Sequence, residues 1–136
     1  MNKKQIDIQQ GLEKEKIIKP VLEKYFNITL EEQGRFALFD FSSTNAFFEL
    51  KSRNNKKLKY PTTMVGYNKV KEGFKLIEQG KEIYFVFNFT DTLAYYKLDN
   101  TFSIDWVKLG GRQDRGFNEQ NNYVFIPVDK LKDIKE

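Results

Sequence analysis

Ile18, Val21, Leu22, Tyr25 and Phe26 recur at spacings of three and four. That stripe is what one face of a helix with about 3.6 residues per turn lays down, and it predicts a first helix over residues 5–26. Pro20 falls inside the stripe, so the expectation is a kink or a junction between two shorter helices. Gln33-Gly34 signals a turn. RFALFDF (35–41) then predicts a strand, SSTN (42–45) a polar turn and AFFELKSR (46–53) the hairpin partner. The lysine-rich NNKKLKYP that follows reads as a loop. Val70, Phe74 and Ile77 line one face of a second helix over 65–79, closed by Gly80. EIYFVFNFT (82–90) is the most apolar run and predicts a central strand, which Asp91-Thr92 turns into LAYYKL (93–98). Residues 102–108 and YVFIPV (123–128) predict further strands, GGRQDRGFNEQNN (110–122) a loop, and the tail a polar segment or short helix.

Helix, hairpin, helix, strands is an α/β or α+β order. The hairpin strands must be antiparallel, and a helix crossing between strands implies a parallel pair, so the central sheet is expected to be mixed. The chain has 136 residues, 40% of them hydrophobic and 21 of those aromatic, enough for one folded domain spanning 1–136. No run approaches the roughly 20 apolar residues of a membrane span, and the first ten residues hold no apolar leader core; the expectation is a soluble, intracellular, non-secreted protein of the cytoplasm or of the host's nucleoid or nuclear compartment.

Two absences narrow the chemistry. The chain has neither cysteine nor histidine. Disulfides, thiolate zinc sites, a cysteine nucleophile, Ser-His-Asp catalysis and His-ligated metal nucleases are thereby excluded. Any hydrolysis must run on carboxylates, lysine, hydroxyls and a hard, oxygen-preferring metal. Asp40 and the Glu49-Leu50-Lys51 tripeptide fit that requirement. On the hairpin reading Asp40 lies near the end of one strand, while Glu49 and Lys51 share one face of the next and Leu50 points to the opposite, packed face. Two carboxylates converging from neighbouring strands make an oxygen site suited to Mg²⁺. A lysine beside them can orient water or neutralise charge developing on a phosphate.

The first helix offers a third carboxylate. At about 100° per residue, Glu15 falls in line with Ile18, Leu22 and Phe26, whereas Glu13 falls nearly opposite Ile18. A glutamate within a buried stripe needs a partner across the interface, so Glu15 is favoured and Glu13 is the alternate. Between Lys51 and Lys75 stand eight basic residues and one acidic, an excess larger than the net charge of +4 for the whole chain. A basic loop and helix directly after the Glu-x-Lys tripeptide suits a phosphodiester backbone. Arg112 and Arg115 add forked donors in the glycine-bounded GGRQDRG segment. Tyr95, Tyr96, Phe102 and Trp106 read as packing residues before they read as base-stacking ones.

In order and type, Glu15, Asp40, Glu49 and Lys51 resemble the PD-(D/E)XK nuclease superfamily, whose members carry a helix glutamate, an Asp near a strand end and a Glu-x-Lys on the next strand. ELKSRNNKKLKYPTTMVGYNKV and GGRQDRG are similar to segments of small phage and large-DNA-virus endonucleases, and the Gly-Leu-Glu of the first helix to phage junction-resolving enzymes. Phe39 stands where many members place a proline. The resemblance implies a restriction-endonuclease-like core, a central mixed β-sheet flanked by helices. It implies a Mg²⁺-dependent DNA endonuclease, with Mn²⁺ able to substitute, acting on branched or junction DNA or on plainer substrates. Asp40, Glu49, the Leu50 carbonyl and Glu15 would serve the metal, and Lys51 would position or activate the attacking water. Arg53, Tyr60, Thr62, Lys69, Arg112 and Arg115 would contact DNA. Cutting both strands of a symmetric substrate would need two sites, and hence a homodimer. The competing expectation is a nuclease-like fold that binds nucleic acid without cutting it.

Overall fold

A computed structural model describes residues 3–34, 37–108 and 122–135, with residues 3–12 as helical backbone. Helix α1 (Lys3–Phe26) is continuous, and Pro20 lies inside it rather than at a junction. Pro20 is exposed, so the ring's missing donor falls on the solvent side. The helix ends at Asn27 in the left-handed region (φ 55°), and the Ile28 N–H donates to the Glu23 carbonyl at 3.1 Å. That is a Schellman-type closure in which asparagine substitutes for the usual glycine. Glu23 also accepts the Leu30 N–H at 2.9 Å, which turns the chain toward the sheet.

Strands β1 (Glu31–Glu32), β2 (Phe41–Ser42), β3 (Ala46–Ser52), β5 (Glu82–Asn88), β6 (Leu93–Lys97) and β9 (Lys132–Ile134) form a six-stranded sheet in the order β1-β2-β3-β5-β6-β9. β2–β3 and β5–β6 are antiparallel, and β3–β5 is parallel with Glu49 opposite Phe85. The mixed sheet follows from the expected hairpins and crossover. The crossover carries α2 (Tyr67–Glu78) and also a strand, β4 (Thr62–Gly66). β4 joins β8 (Tyr123–Pro127) and β7 (Val107–Lys108) in a second, three-stranded sheet.

Four sequence expectations need correction. Of the strand expected over 35–41, residues 37–40 are bends, residues 35–36 lie outside the described part, and pairing begins only at Phe41. The second helix starts at Tyr67, because Val65 and Gly66 belong to β4. Residues 104–106 are a short 3₁₀ turn, with only Val107–Lys108 extended. The tail forms a 3₁₀ turn and then β9, which closes the far edge against β6.

β5 divides the core. Ile83, Phe85 and Phe87 face α2 and the small sheet. Tyr84 and Val86 face α1, where Ile18, Leu22 and Phe48 meet them. Ile83, Phe85, Val86 and Phe87 are wholly inaccessible to solvent, which is why the run is apolar throughout rather than alternating. Gly80 adopts φ 87°, a left-handed turn that releases the chain from α2 into β5. Gly73 permits close packing: a Cβ there would stand 2.9 Å from a Leu98 methyl and 3.2 Å from an Ile83 methyl.

Candidate active site

β3 sets the site through its alternation. Phe47 packs on the α2 side of the sheet and Phe48 on the α1 side. Glu49 and Lys51 therefore share the α2 side, while Leu50 is half-buried among the α1 contacts. Glu49 is 4% exposed in a strand otherwise filled by Phe and Leu. Lys51 Nζ lies 3.8 Å from Glu49 Oε1, and Lys69 Nζ reaches from α2 to within 2.7 Å of Oε2. Lys69 also donates to the Leu38 carbonyl. No hydrogen bond of good angle reaches Oε2 from the described residues, so its contact with Lys69 is ionic.

Asp40 stands where the chain enters β2. Its N–H donates to the Phe48 carbonyl at 3.0 Å, and its carbonyl accepts from Gln33 at 2.9 Å. Its Oδ2 accepts the Leu50 N–H at 2.7 Å. The side chain thus continues a ladder that the backbone has left. Phe39 belongs to the core on one side of the sheet and Phe41 to the core on the other. Asp40 lies between them at the start of β2, where groups from both faces can reach it.

Glu15 comes from the α1 face, one turn before Ile18, into the electrostatic reach of Asp40. Burial raises its pKa to about 7, reinforced by Asp40 and then by Glu32 and Glu49. Glu49 is also pushed up to about 7, by burial first and by Asp40 second, against the opposing pull of Lys69 and Lys51. The three carboxylates therefore sense one another electrostatically, and a positive charge among them would be strongly favoured. Glu13, the alternate, is exposed.

These residues fit a divalent cation in donor chemistry. Glu49 Oε2 is a buried carboxylate oxygen without a hydrogen bond. The Leu50 carbonyl shares the side of the strand toward which its own N–H reaches Asp40. Among the described residues no three carboxylates converge tightly enough to enclose an ion alone. The set would be two carboxylates and a carbonyl, with water and substrate oxygens completing the shell as Mg²⁺ prefers.

The other expected contacts are placed more diversely. Arg53 is largely spent within the fold: its guanidinium donates to the Met64 carbonyl and to Thr63 Oγ1 at 3.4 Å, fastening β3 to β4. Burial lowers its pKa. Tyr60 is exposed, and Thr62 is half-buried at the start of β4. Arg112 and Arg115 lie outside the described residues. Tyr96, Phe102 and Trp106 pack edge to face, at 5.4 Å for Phe102–Trp106 and 5.8 Å for Tyr96–Trp106, and Tyr95 sits 5.1 Å from Phe26. These four do serve packing. Sequence reasoning placed Lys69 on DNA and missed it as the closest partner of Glu49; that contact depends on how α2 lies on the sheet, which local spacing does not encode.

A mixed sheet with a hairpin, a helical crossover and acidic groups gathered around β2 and β3 is a restriction-endonuclease-like core. Residues 1–134 match the family described as "Phage putative PDDEXK endonuclease", and the chain belongs to that family. None of the curated proteins matches it. No helix among the described residues is long and apolar enough to cross a membrane.

Proposed function

We propose that the protein is a Mg²⁺-dependent DNA endonuclease, with Mn²⁺ able to substitute, and that Glu49, Asp40, Lys51 and Glu15 carry the reaction. The observation that bears most weight is the buried Glu49 carboxylate, its pKa raised to about 7 by burial and Asp40 although the Lys69 ammonium stands 2.7 Å from its Oε2. A fold retains so costly a group where a cation or a reaction uses it. Glu49, Asp40 and the Leu50 carbonyl would hold the metal, and Glu15 would support it through Asp40. When bound, the ion supplies Lewis-acid charge to the scissile phosphate and makes water a better nucleophile.

Lys51 has the freedom for the remaining role. It is 34% exposed and only loosely paired, so its ammonium can orient the attacking water and offset charge growing on the phosphate. Lys56, Lys59, Lys71 and Lys75 are exposed on the loop after β3 and on α2, and they supply backbone attraction that weakens with salt. The proposed substrates include branched or junction DNA as well as plainer DNA, and a homodimer would bring two sites to a symmetric one.

The test is cleavage of labelled duplex, single-stranded and four-way-junction DNA in Mg²⁺, Mn²⁺ or EDTA, with wild type and Lys51→Ala at matched concentration. Wild type cuts only with metal, and the variant loses at least about a hundredfold in rate. Salt-sensitive binding by both proteins with no cutting of any substrate would replace this reading with that of a binding module.

A further inference from the structure

Glu49 has two lysines where one would meet the needs of the reaction proposed above, on which this inference rests. Lys51 lies 3.8 Å from Oε1 and is 34% exposed, whereas Lys69 lies 2.7 Å from Oε2 and is 21% exposed. Lys69 is fixed by more than charge: it donates to the Leu38 carbonyl and its ammonium lies 5.8 Å from the centre of the Phe39 ring. Leu38 and Phe39 directly precede Asp40. The ammonium thus ties Glu49 to the segment that leads into Asp40. A divalent ion that took Glu49 Oε2 would compete with Lys69 for the same oxygen, and two cations at one oxygen repel strongly in a partly buried site.

We propose that Lys69 and the divalent cation are alternative partners of Glu49 Oε2, so that loading the site expels Lys69 from it. Lys69 is then a positioning residue. It neutralises and orients Glu49 until the metal replaces it, and its long stem lets the released ammonium swing toward solvent without moving α2. Lys51 is not displaced, because it faces the other oxygen and is held by the strand that carries Glu49. The device weakens cation binding and keeps the buried carboxylate from standing uncompensated.

The test reads lysine reactivity in the intact protein. Wild type is acylated with an amine-reactive ester in EDTA or in saturating Mg²⁺, and each lysine is followed by mass spectrometry. Modification of Lys69 should rise about fivefold or more with Mg²⁺ as its partner is lost, while the exposed Lys71 and Lys75 stay constant. In Glu49→Gln, Lys69 should be reactive from the start and indifferent to Mg²⁺.

A second arm titrates Mn²⁺ and reads the free ion by electron paramagnetic resonance. Lys69→Met should bind about tenfold tighter than wild type, and Lys69→Arg, which keeps the charge, should not. Unchanged or reduced Lys69 reactivity on loading, or equal or weaker Mn²⁺ binding by Lys69→Met, overturns the exchange while leaving the nuclease reading intact. Failure of wild type to bind Mn²⁺ at all would remove both.

Discussion

Asp40 supports the sheet with the same carboxylate that the proposed chemistry needs. Its Oδ2 accepts the Leu50 N–H at 2.7 Å, at the point where β2 no longer runs beside β3. Asp40→Ala would leave that N–H without its partner, and chemical denaturation should show a loss of about 1–3 kcal/mol. Asp40→Asn retains an acceptor and should recover most of this stability, while abolishing cleavage as fully as alanine does. The pair separates the structural work of the side chain from the work of its charge. Lys51 is the reverse case: its one ion pair is 3.8 Å long and partly exposed, so Lys51→Ala should leave stability within about 0.5 kcal/mol.

The elements show how the site was legible and where it was not. Alternation along β3 put Glu49 and Lys51 on one face and Leu50 on the other, because a strand's period of two survives any tertiary arrangement. The turn angle of α1 selected Glu15 over Glu13 for the same reason, and the structure places Glu15 beside Asp40 and leaves Glu13 exposed. β4 was not legible. TTMVG is five residues long between a lysine-rich loop and a helix, and its partner β8 lies some sixty residues away. Lys69 and Arg53 read as DNA contacts in the sequence because their charges are visible there and their partners are not. Both partners come from elements that only the completed fold brings near. The element on which this placement most depends is β5, the strand between β3 and β6. Phe85 is fully buried opposite Glu49, and Phe85→Ala should cost about 3–5 kcal/mol in chemical denaturation.

Across the whole molecule, the carboxylate cluster couples stability to pH. Glu49 rises from an ordinary value of 4.5 to about 7 in the fold, through burial and Asp40. Between those values the folded protein binds more protons than the unfolded chain, so stability falls as pH rises through that window and levels off above it. Glu15 shifts in the same direction, with a smaller effect because it is only half-buried. In EDTA, wild type should therefore lose stability relative to the neutral isostere Glu49→Gln between about pH 5 and pH 8, by an amount on the order of 2–3 kcal/mol. Adding Mg²⁺ above pH 7 should return part of this loss to wild type and none to the variant. A difference that stayed flat with pH would mean that burial and Asp40 do not outweigh the two lysines at Glu49.

The most direct measurement is an anomalous difference map from a crystal of the wild-type protein grown with Mn²⁺. A single strong peak should lie against the carboxylates of Asp40 and Glu49 and the carbonyl of Leu50, with Lys69 drawn away from Glu49 Oε2. A peak elsewhere on the molecule, or none at a Mn²⁺ concentration that supports DNA cleavage, would contradict the assignment of the metal site to these residues.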